Sequence, residues 1–256
     1  MNWKTFYALL SRDGHVARRN LVFSLMQNLL QPMLLTFVFG RVLTTSGMMQ
    51  AAYKNVLLPG IIGTSMVMSG VWAVAMPLIA EFQFTKEIED RLLAPIEIGW
   101  IAVEKVISGM IQALVAGLVV IPTAWLVMGS GVNISFQHPL EFALICFLVA
   151  LFAAAGGLTL GCSIGQAQVG LMFSLVIAPM IMFGCAYYPW AALKNFPGLQ
   201  YAVLVNPLVY ASEGMRGALV PGIPHISTAA VIGALVAINA ILLAVGMKQF
   251  YAKSIG

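Results

Sequence analysis

Long uncharged, apolar runs alternate with short polar segments along this chain. A helix of about 20 mostly apolar residues crosses the hydrocarbon core of a bilayer, and several runs approach or reach that length. We therefore predict an all-α, polytopic membrane protein with six transmembrane helices. The predicted spans are residues 21–39, 56–80, 106–128, 142–160, 169–186 and 228–247.

The division between the fourth and fifth spans rests on length. Residues 142–193 contain no Asp, Glu, Lys or Arg over 52 positions, which is too long for a single crossing. The sequence SIGQAQ at residues 163–168 is the most polar part of this run, and we predict a turn there.

The composition favours a membrane protein over a soluble one. Of the 256 residues, 61% are hydrophobic and 9% are charged, and the mean hydropathy is +0.94. A soluble domain carries about 25% charged residues. The net charge of +4 is small and the basic residues form no clustered face, which argues against nucleic acid as a partner.

Cysteine and histidine residues give no sign of a catalytic or metal site. The three cysteines lie inside apolar runs, and the three histidines lie near span ends, far apart in sequence. Metal sites and histidine-based catalytic centres both need several such side chains that converge.

The chain also has no Gly-Lys pair and therefore lacks the P-loop motif GxxxxGK[ST] that binds ATP phosphates. We predict no enzyme activity, no metal and no cofactor in this chain.

Residues 1–20 are predicted to form an interfacial helix. Trp3, Phe6, Tyr7 and Leu10 recur at the spacing of one helical face, with polar residues between them. The alternative is that these residues are the start of the first span, and the sequence leaves both interpretations open.

Charged side chains are concentrated in residues 81–105, which we call the coupling segment. The chain has 13 Lys or Arg and 9 Asp or Glu residues, and nine of these charges lie there. Phe84, Ile88 and Leu92 recur every fourth residue before Pro95, which predicts a short amphipathic helix. We interpret it as a cytoplasmic coupling helix that docks on a nucleotide-driven partner, with an ordinary solvated loop as the alternative. The predicted coupling residues are Lys86, Glu87, Ile88, Glu89, Asp90, Arg91 and Leu92.

Residues 187–226 are apolar but interrupted by several prolines. This pattern predicts short re-entrant helices, because irregular backbone is tolerated at membrane depth only where protein or a wet cavity covers it. Glu213 and Arg216 lie one helical turn apart, either as a pair that caps this element or as a weakly coupled surface pair. We predict that this re-entrant segment forms a gate on the side of the membrane opposite the coupling segment, with the candidate residues Tyr188, Pro189, Asn206, Pro207, Glu213 and Arg216.

The distribution of basic residues predicts the orientation. Six spans place both termini on the same side as the coupling segment, and that side carries nine Lys and Arg residues against four on the other side. Because cytoplasmic loops carry the excess of Lys and Arg, we expect both termini and the coupling segment in the cytoplasm. Residues 187–226 are then extracytoplasmic.

Two further groups of residues concern the packing of the helices and a possible path between them. Gly157, Gly161 and Gly165 recur every fourth residue and predict close helix packing, which we expect within one subunit rather than at a dimer seam.

Amides in the first span either pack against a neighbouring helix or line a wet path, and aromatic side chains suit an apolar path. The candidate path-lining residues are Gln27, Gln31, Trp72, Phe173 and Phe183.

The order of these motifs resembles the permease subunits of ABC-2 type exporters, a family of nodulation-factor, daunorubicin-type drug and polysaccharide export permeases. The resemblance extends over essentially the whole chain and is closer to the drug and nodulation-factor branch. It rests on NLLQP at residues 28–32, EIEDRLLAP at 87–95 followed by Lys105, GCAYYP at 184–189, and NPLVY at 206–210 followed by Glu213 and Arg216.

This resemblance implies an assembly. It implies a homodimer or pseudo-dimer of six-helix subunits, each paired with one ATP-binding subunit that carries ATP and Mg. It also implies that the first cytoplasmic connection forms the coupling helix, that two re-entrant helices precede the last span, and that substrate moves between the subunits near the first, second and fifth helices.

Together these features predict the permease subunit of an ATP-driven exporter in the inner membrane. The expected substrate is amphipathic or hydrophobic: a drug, a lipid-linked glycan or a glycolipid. The alternatives are a gradient-driven secondary transporter and a non-transporting structural subunit of a membrane complex. A secondary transporter is expected to carry ionisable residues in the middle of its spans, and the predicted spans have none there.

Overall fold

The structure is a computed structural model that describes residues 3–50, 52–84, 97–129, 134–220 and 222–255. Throughout these residues the regular structure is helical, as the sequence predicts, and no strand is present in them. The coupling residues 86–92 lie outside the described part, as do residues 130–133.

The first helix, α1, runs from Trp3 to Phe37 and continues through a π-helical turn, Val38–Val42, into Leu43–Thr45. We expected an interfacial helix up to residue 20 and a span from residue 21, but the structure joins the two without a break. Gly14, the one glycine in this stretch, disfavours a helix by only about 1 kcal/mol, which does not end it. Residues 3–20 are therefore continuous with the first predicted span.

Three long helices form the centre of the bundle: α2 (Tyr53–Gln83), α3 (Ile98–Met128) and α4 (Pro139–Ser163). The helix α2 is the most enclosed of them and packs against both of the others. Its Gly70 is pressed against α3 and α4, because a Cβ there would lie 3.1 Å from the Cβ of Ala113 and 2.5 Å from that of Ala153. Such contacts bring the helix axes closer than larger residues allow.

The glycine stripe on α4 packs against α2 of the same chain. A Cβ on Gly157 would meet the Val71 carbonyl oxygen at 2.8 Å, and one on Gly161 would meet Ala75 Cα at 3.0 Å. Gly165 faces the end of the Gln83 side chain instead. The expectation that the stripe serves packing within one subunit is confirmed for Gly157 and Gly161.

After α4 the chain turns where the sequence predicts and forms α5, Gln166–Met182, which contains a π-helical turn at Phe173–Ile177. Two short helices follow, α6 (Pro197–Ala202) and α7 (Pro207–Leu219), with 3-10 turns at Trp190–Asn195 and Val203–Val205. The last helix, α8, runs from Thr228 to Ile255.

Within the described residues, four helices are long and apolar enough to cross a membrane: α2, α3, α4 and α8. The stretches Pro32–Thr45 and Gln166–Met182 are shorter apolar helices, so the count of six crossings stays a prediction. The helix α3 begins eight residues before the predicted span, and α8 continues eight residues beyond it. Hydropathy marks the part of a helix that lies in lipid, whereas the helix itself continues into the polar region.

We expect Gly161→Leu to destabilise the bundle by about 1–3 kcal/mol or more, because the new side chain has to displace the backbone of α2 at Ala75. Gly233→Leu is the matched control, since a Cβ on Gly233 in α8 would face open space, with no other described segment within 4 Å. Thermal unfolding of the two purified variants measures the difference. Equal stability of the two variants would show that the α2–α4 contact is not tight.

Candidate functional site

Two clusters of buried charge lie near opposite ends of α2. One includes Glu81 near the end of the helix, and the other reaches the carbonyl of Val56 in its first turn. The two positions are separated by about 37 Å along the helix, at 1.5 Å per residue. The hydrocarbon core of a bilayer is about 30 Å thick, so the two clusters lie further apart along α2 than this core is thick.

The first cluster, which we call the ionic junction, consists of Asp13, Glu81 and Lys105. Lys105 Nζ donates to Glu81 Oε1 at 2.6 Å and to Asp13 Oδ2 at 2.7 Å. The exposed fractions of the three side chains are 4% for Lys105, 9% for Glu81 and 15% for Asp13. One ammonium group therefore joins α1, α2 and α3 in a largely water-free place.

Aromatic packing supports the same junction of α1 with α3. The ring of Phe6 lies edge-on to the ring of Trp100 with centroids 5.9 Å apart, and Trp3 approaches the same ring at 6.3 Å. Phe6 is buried although it belongs to a segment that we expected to lie in the membrane interface. The first turns of α1 are thus packed onto the beginning of α3.

The ionic junction holds the two helix ends between which the undescribed part of the coupling segment runs. The helix α2 ends at Gln83 and α3 begins at Ile98, so Glu81 and Lys105 lie on either side of this connection. All seven predicted coupling residues fall within residues 86–92, outside the described part.

The sequence alone did not reveal the ionic junction. Asp13 lies among basic residues of the first 20 and is separated from Lys105 by 92 positions. The sequence did contain one signal for this contact. Glu81 directly follows one predicted span and Lys105 directly precedes the next, so both lie on the same predicted side of the membrane.

The last turn of α8 lies at this end too. Lys253 Nζ donates to the Cys162 carbonyl oxygen at 3.2 Å, at the end of α4, and lies 4.9 Å from the centroid of the Phe82 ring. A lysine is favourable at the negative end of the α4 dipole. The first turns of α1 and the last turn of α8 therefore lie at the end of the bundle that carries the ionic junction.

At the opposite end, Asn206 and Pro207 begin α7. The Asn206 side chain accepts a hydrogen bond from the Leu208 amide at 3.0 Å and donates one to the Met180 carbonyl at 2.7 Å. Pro207 occupies the first helical position, where its missing amide hydrogen is not needed. The same asparagine thus caps α7 and ties it to the last turn of α5.

Glu213 and Arg216 lie inside α7 and are completely buried, with an exposed fraction of 0% for both side chains. Arg216 Nη1 donates to Glu213 Oε1. The same oxygen accepts from the Trp190 amide at 2.9 Å, and Oε2 accepts from the Ile226 amide at 3.0 Å. Complete burial excludes the alternative of a weakly coupled surface pair.

The Arg216 guanidinium also binds two backbone carbonyls. Nη2 donates to the Cys185 carbonyl at 2.9 Å and approaches the Val56 carbonyl at 3.3 Å. Within the described residues Nε has no hydrogen-bond partner. We call Glu213, Arg216 and these four backbone partners the tie-point.

The tie-point is an electrostatically compensated site. A carboxylate and a guanidinium that are taken out of water lose favourable hydration energy. Here the attraction between the two groups and their hydrogen bonds to the backbone compensate for that loss. Removing one partner of a buried pair typically destabilises a protein by about 3–5 kcal/mol, because the other charge stays buried. These two ionisable groups are thus buried and paired with each other.

Tyr188 and Pro189 lie at the turn that follows α5. The Tyr188 hydroxyl donates to the Met182 carbonyl at 3.2 Å, and Pro189 precedes the 3-10 turn Trp190–Asn195. The indole of Trp190 donates to the Gln200 carbonyl at 2.8 Å. The structure therefore places all six candidate gate residues in one connected region between α5 and α8.

Of the five candidate path-lining residues, the structure brings two together. The rings of Trp72 and Phe173 stack with centroids 6.3 Å apart and an interplanar angle of 27°. Phe183 is half-exposed after the end of α5 and is not part of this stack. The side chains of Gln27 and Gln31 lie outside the described part, although the backbone at both positions belongs to α1.

In the described ranges, no group of three or more His, Cys, Asp and Glu residues is arranged to hold a metal ion. The chemistry of both clusters is that of ion pairs and hydrogen bonds between helices.

These helices, with paired charges near both ends of the bundle, define a polytopic, all-α membrane protein. The sequence model of the ABC-2 type transporter family matches residues 4–220, from the start of α1 to the end of α7, and the chain belongs to that family. It is a transmembrane permease component of an ABC transporter, which is generally non-enzymatic and normally pairs with an ATP-binding subunit. A search of curated proteins found no significant match.

We expect Lys105→Met to lower the free energy of unfolding by about 3–5 kcal/mol, because it leaves two carboxylates facing each other without the shared cation. Lys248→Met is the matched control: this exposed lysine of α8 should change stability by less than about 0.5 kcal/mol. Unfolding of both purified variants in the same detergent gives the comparison.

The triple variant Asp13→Asn, Glu81→Gln, Lys105→Met should regain most of the lost stability, because none of the three side chains of the ionic junction is then charged. If Lys105→Met alone is as stable as Lys248→Met, the ionic junction does not hold the three helices together.

Proposed function

We propose that this chain is the permease subunit of an ATP-driven exporter that moves an amphipathic or hydrophobic substrate across the inner membrane. The substrate class is a drug, a lipid-linked glycan or a glycolipid. Two permease subunits, either two copies of this chain or this chain and a homologous one, assemble with two ATP-binding subunits. Those partners carry ATP and Mg, and this chain carries no cofactor of its own.

The observation that carries the proposal is the ionic junction. The coupling segment connects α2 to α3, and Lys105 binds Glu81 at 2.6 Å across the two helix ends. Because Lys105 also binds Asp13, a displacement of the coupling segment is transmitted to α1 as well as to α2 and α3. A partner that contacts this segment differently in its two nucleotide states would thereby shift the permease between two conformations.

Close packing between α2 and α3 supports the transmission of this displacement from the ionic junction along α2. A Cβ on Gly109 would lie 2.2 Å from a side-chain carbon of Val74, and one on Gly117 would lie 2.5 Å from Met66. Helices in such contact resist sliding and separation, because protein interiors have low compressibility and transmit strain. The helix α2 then links the ionic junction to the tie-point at its other end.

The proposed orientation places both termini in the cytoplasm. It is supported by the excess of Lys and Arg on the side of the termini and the coupling segment. It is also supported by the contact of Lys253 with α4 and Phe82, at the end of the bundle where the ionic junction lies. With this orientation the tie-point and the proposed gate are extracytoplasmic.

An apolar path supports the proposed substrate class. Large apolar side chains are exposed along α5, and the stacked Trp72 and Phe173 rings lie beside them. We propose that this surface faces the second permease subunit and that substrate passes between the two. The exposed side chains of α5 are Leu171, Phe173, Leu175, Val176 and Met182.

The double variant Glu89→Arg, Asp90→Arg tests the coupling. We expect it to abolish copurification with the ATP-binding subunit and the stimulation of its ATPase activity, because two charges on the predicted docking face are reversed. Ile88→Pro should do the same by breaking the helix. Both variants should insert into the membrane like the wild type, since these positions lie outside the predicted spans.

Lys194→Glu is the control, because it reverses an exposed charge at the opposite end of the bundle. It should leave copurification and ATPase stimulation unchanged. Normal partner binding and stimulation with the Glu89→Arg, Asp90→Arg variant would contradict the proposed coupling.

A further inference from the structure

The chain reversal after α5 has an unusual backbone conformation. Among the residues that the structure describes, Cys185 is the one non-glycine residue with a positive φ, at +53°. L-residues with a Cβ disfavour this left-handed conformation, so it persists only where surrounding contacts impose it. Cys185 is also fully buried.

Contacts from α2 and α7 hold this reversal. The Cys185 carbonyl accepts a hydrogen bond from Arg216 Nη2, and the Tyr187 carbonyl accepts one from the Tyr53 hydroxyl at 2.7 Å. The backbone of Ala186 is pressed against α2, since a Cβ on Gly60 would lie 1.9 Å from the Ala186 carbonyl oxygen. The reversal is thus fixed on both sides by groups distant in sequence.

The tie-point extends this fixation to other segments. Arg216 binds carbonyls 31 and 160 residues away, at Cys185 and Val56. Glu213 binds amides 23 and 13 residues away, at Trp190 and Ile226. The two side chains of α7 therefore hold the start of α2, the reversal after α5, the turn at Trp190 and the approach to α8.

We propose that Glu213 and Arg216 are positioning residues that keep these four segments and α7 together as one rigid unit throughout the transport cycle. The gate on this side then opens at the outer surfaces of the unit, and α7 does not swing away from α2. The part of this inference that concerns the transport cycle rests on the proposed function. The part that concerns the resting structure stands without it.

The chemistry of the two side chains fits this positioning role better than a plain ion pair. A plain ion pair needs only opposite charges. Here the carboxylate accepts hydrogen bonds from two backbone amides, and the guanidinium donates hydrogen bonds to two backbone carbonyls. Arginine suits this task because it has five donors in a fixed planar fork, whereas lysine offers a single ammonium group. Exchanging the two residues would preserve the charges but place donors opposite the Trp190 and Ile226 amides.

Cys185 provides a native reporter of the tie-point. In a chain with Cys146→Ala and Cys162→Ala, it is the one remaining cysteine. Reaction with N-ethylmaleimide then measures how often the reversal opens, because a fully buried thiol reacts only through such openings. Lys194→Cys in the same background with Cys185→Ala serves as the exposed control and should react rapidly.

The first experiment compares resting proteins. We expect Arg216→Lys to increase the rate of Cys185 labelling by about tenfold or more, since a hydrogen bond to a charged group is lost. The exchanged variant Glu213→Arg, Arg216→Glu should be labelled at least as fast. If Arg216→Lys or the exchanged variant does not fold, Glu213→Gln provides the same comparison. This variant retains an acceptor oxygen but loses the charge. Labelling of every folded variant at the wild-type rate would overturn the inference.

The second experiment uses the complete complex with its ATP-binding subunit in nanodiscs. We expect Cys185 to stay protected without nucleotide, with trapped ATP and during turnover. A burst of Cys185 labelling during turnover would overturn the inference, because it would show that the unit opens. If no ATP-binding subunit assembles with the chain, the proposed function fails, while the comparison of resting proteins still tests the tie-point.

Discussion

Hydrocarbon offers no water to satisfy a polar group, and this constraint determines where charge can lie in the chain. The two buried charge clusters are about 37 Å apart along α2, which is more than the thickness of a bilayer core, about 30 Å. In the first cluster Lys105 pairs with Asp13 and Glu81, and in the second Glu213 and Arg216 pair with each other and with backbone groups. Between the clusters, α2 packs mainly through glycine and apolar side chains, and the hydroxyl of its Ser69 donates to the Gln112 carbonyl.

This arrangement gives α2 a central mechanical position. At one end it shares Lys105 with α1 and α3, and at the other its Val56 carbonyl is bound by Arg216 of α7. Between them, Gly70, Gly157 and Gly161 bring α2 against its neighbours at backbone distance. A force applied at the Glu81 end of α2 therefore acts on a packed body that extends to the tie-point.

The sequence predicted the helical class and the turn after Ser163, because apolar runs and their interruptions are local features. It also indicated that Gly157 and Gly161 pack closely. It did not predict the ionic junction, since no local pattern links Asp13 to Lys105, nor the continuity of α1, since polarity changes there without a helix break. Glu213 and Arg216 are buried because α2, α4 and α8 enclose α7. A spacing of three residues between two charges does not reveal whether such an enclosure forms.

The central claim is that the coupling segment is a cytoplasmic contact for an ATP-binding subunit. Thiol labelling of Ile88→Cys, in a chain without its native cysteines, tests it most directly when inside-out and right-side-out vesicles are compared with and without that subunit. The account predicts that a membrane-impermeant reagent reacts only in inside-out vesicles and that the ATP-binding subunit blocks the reaction. Reaction from the extracytoplasmic face, or a rate that the subunit does not change, would contradict it.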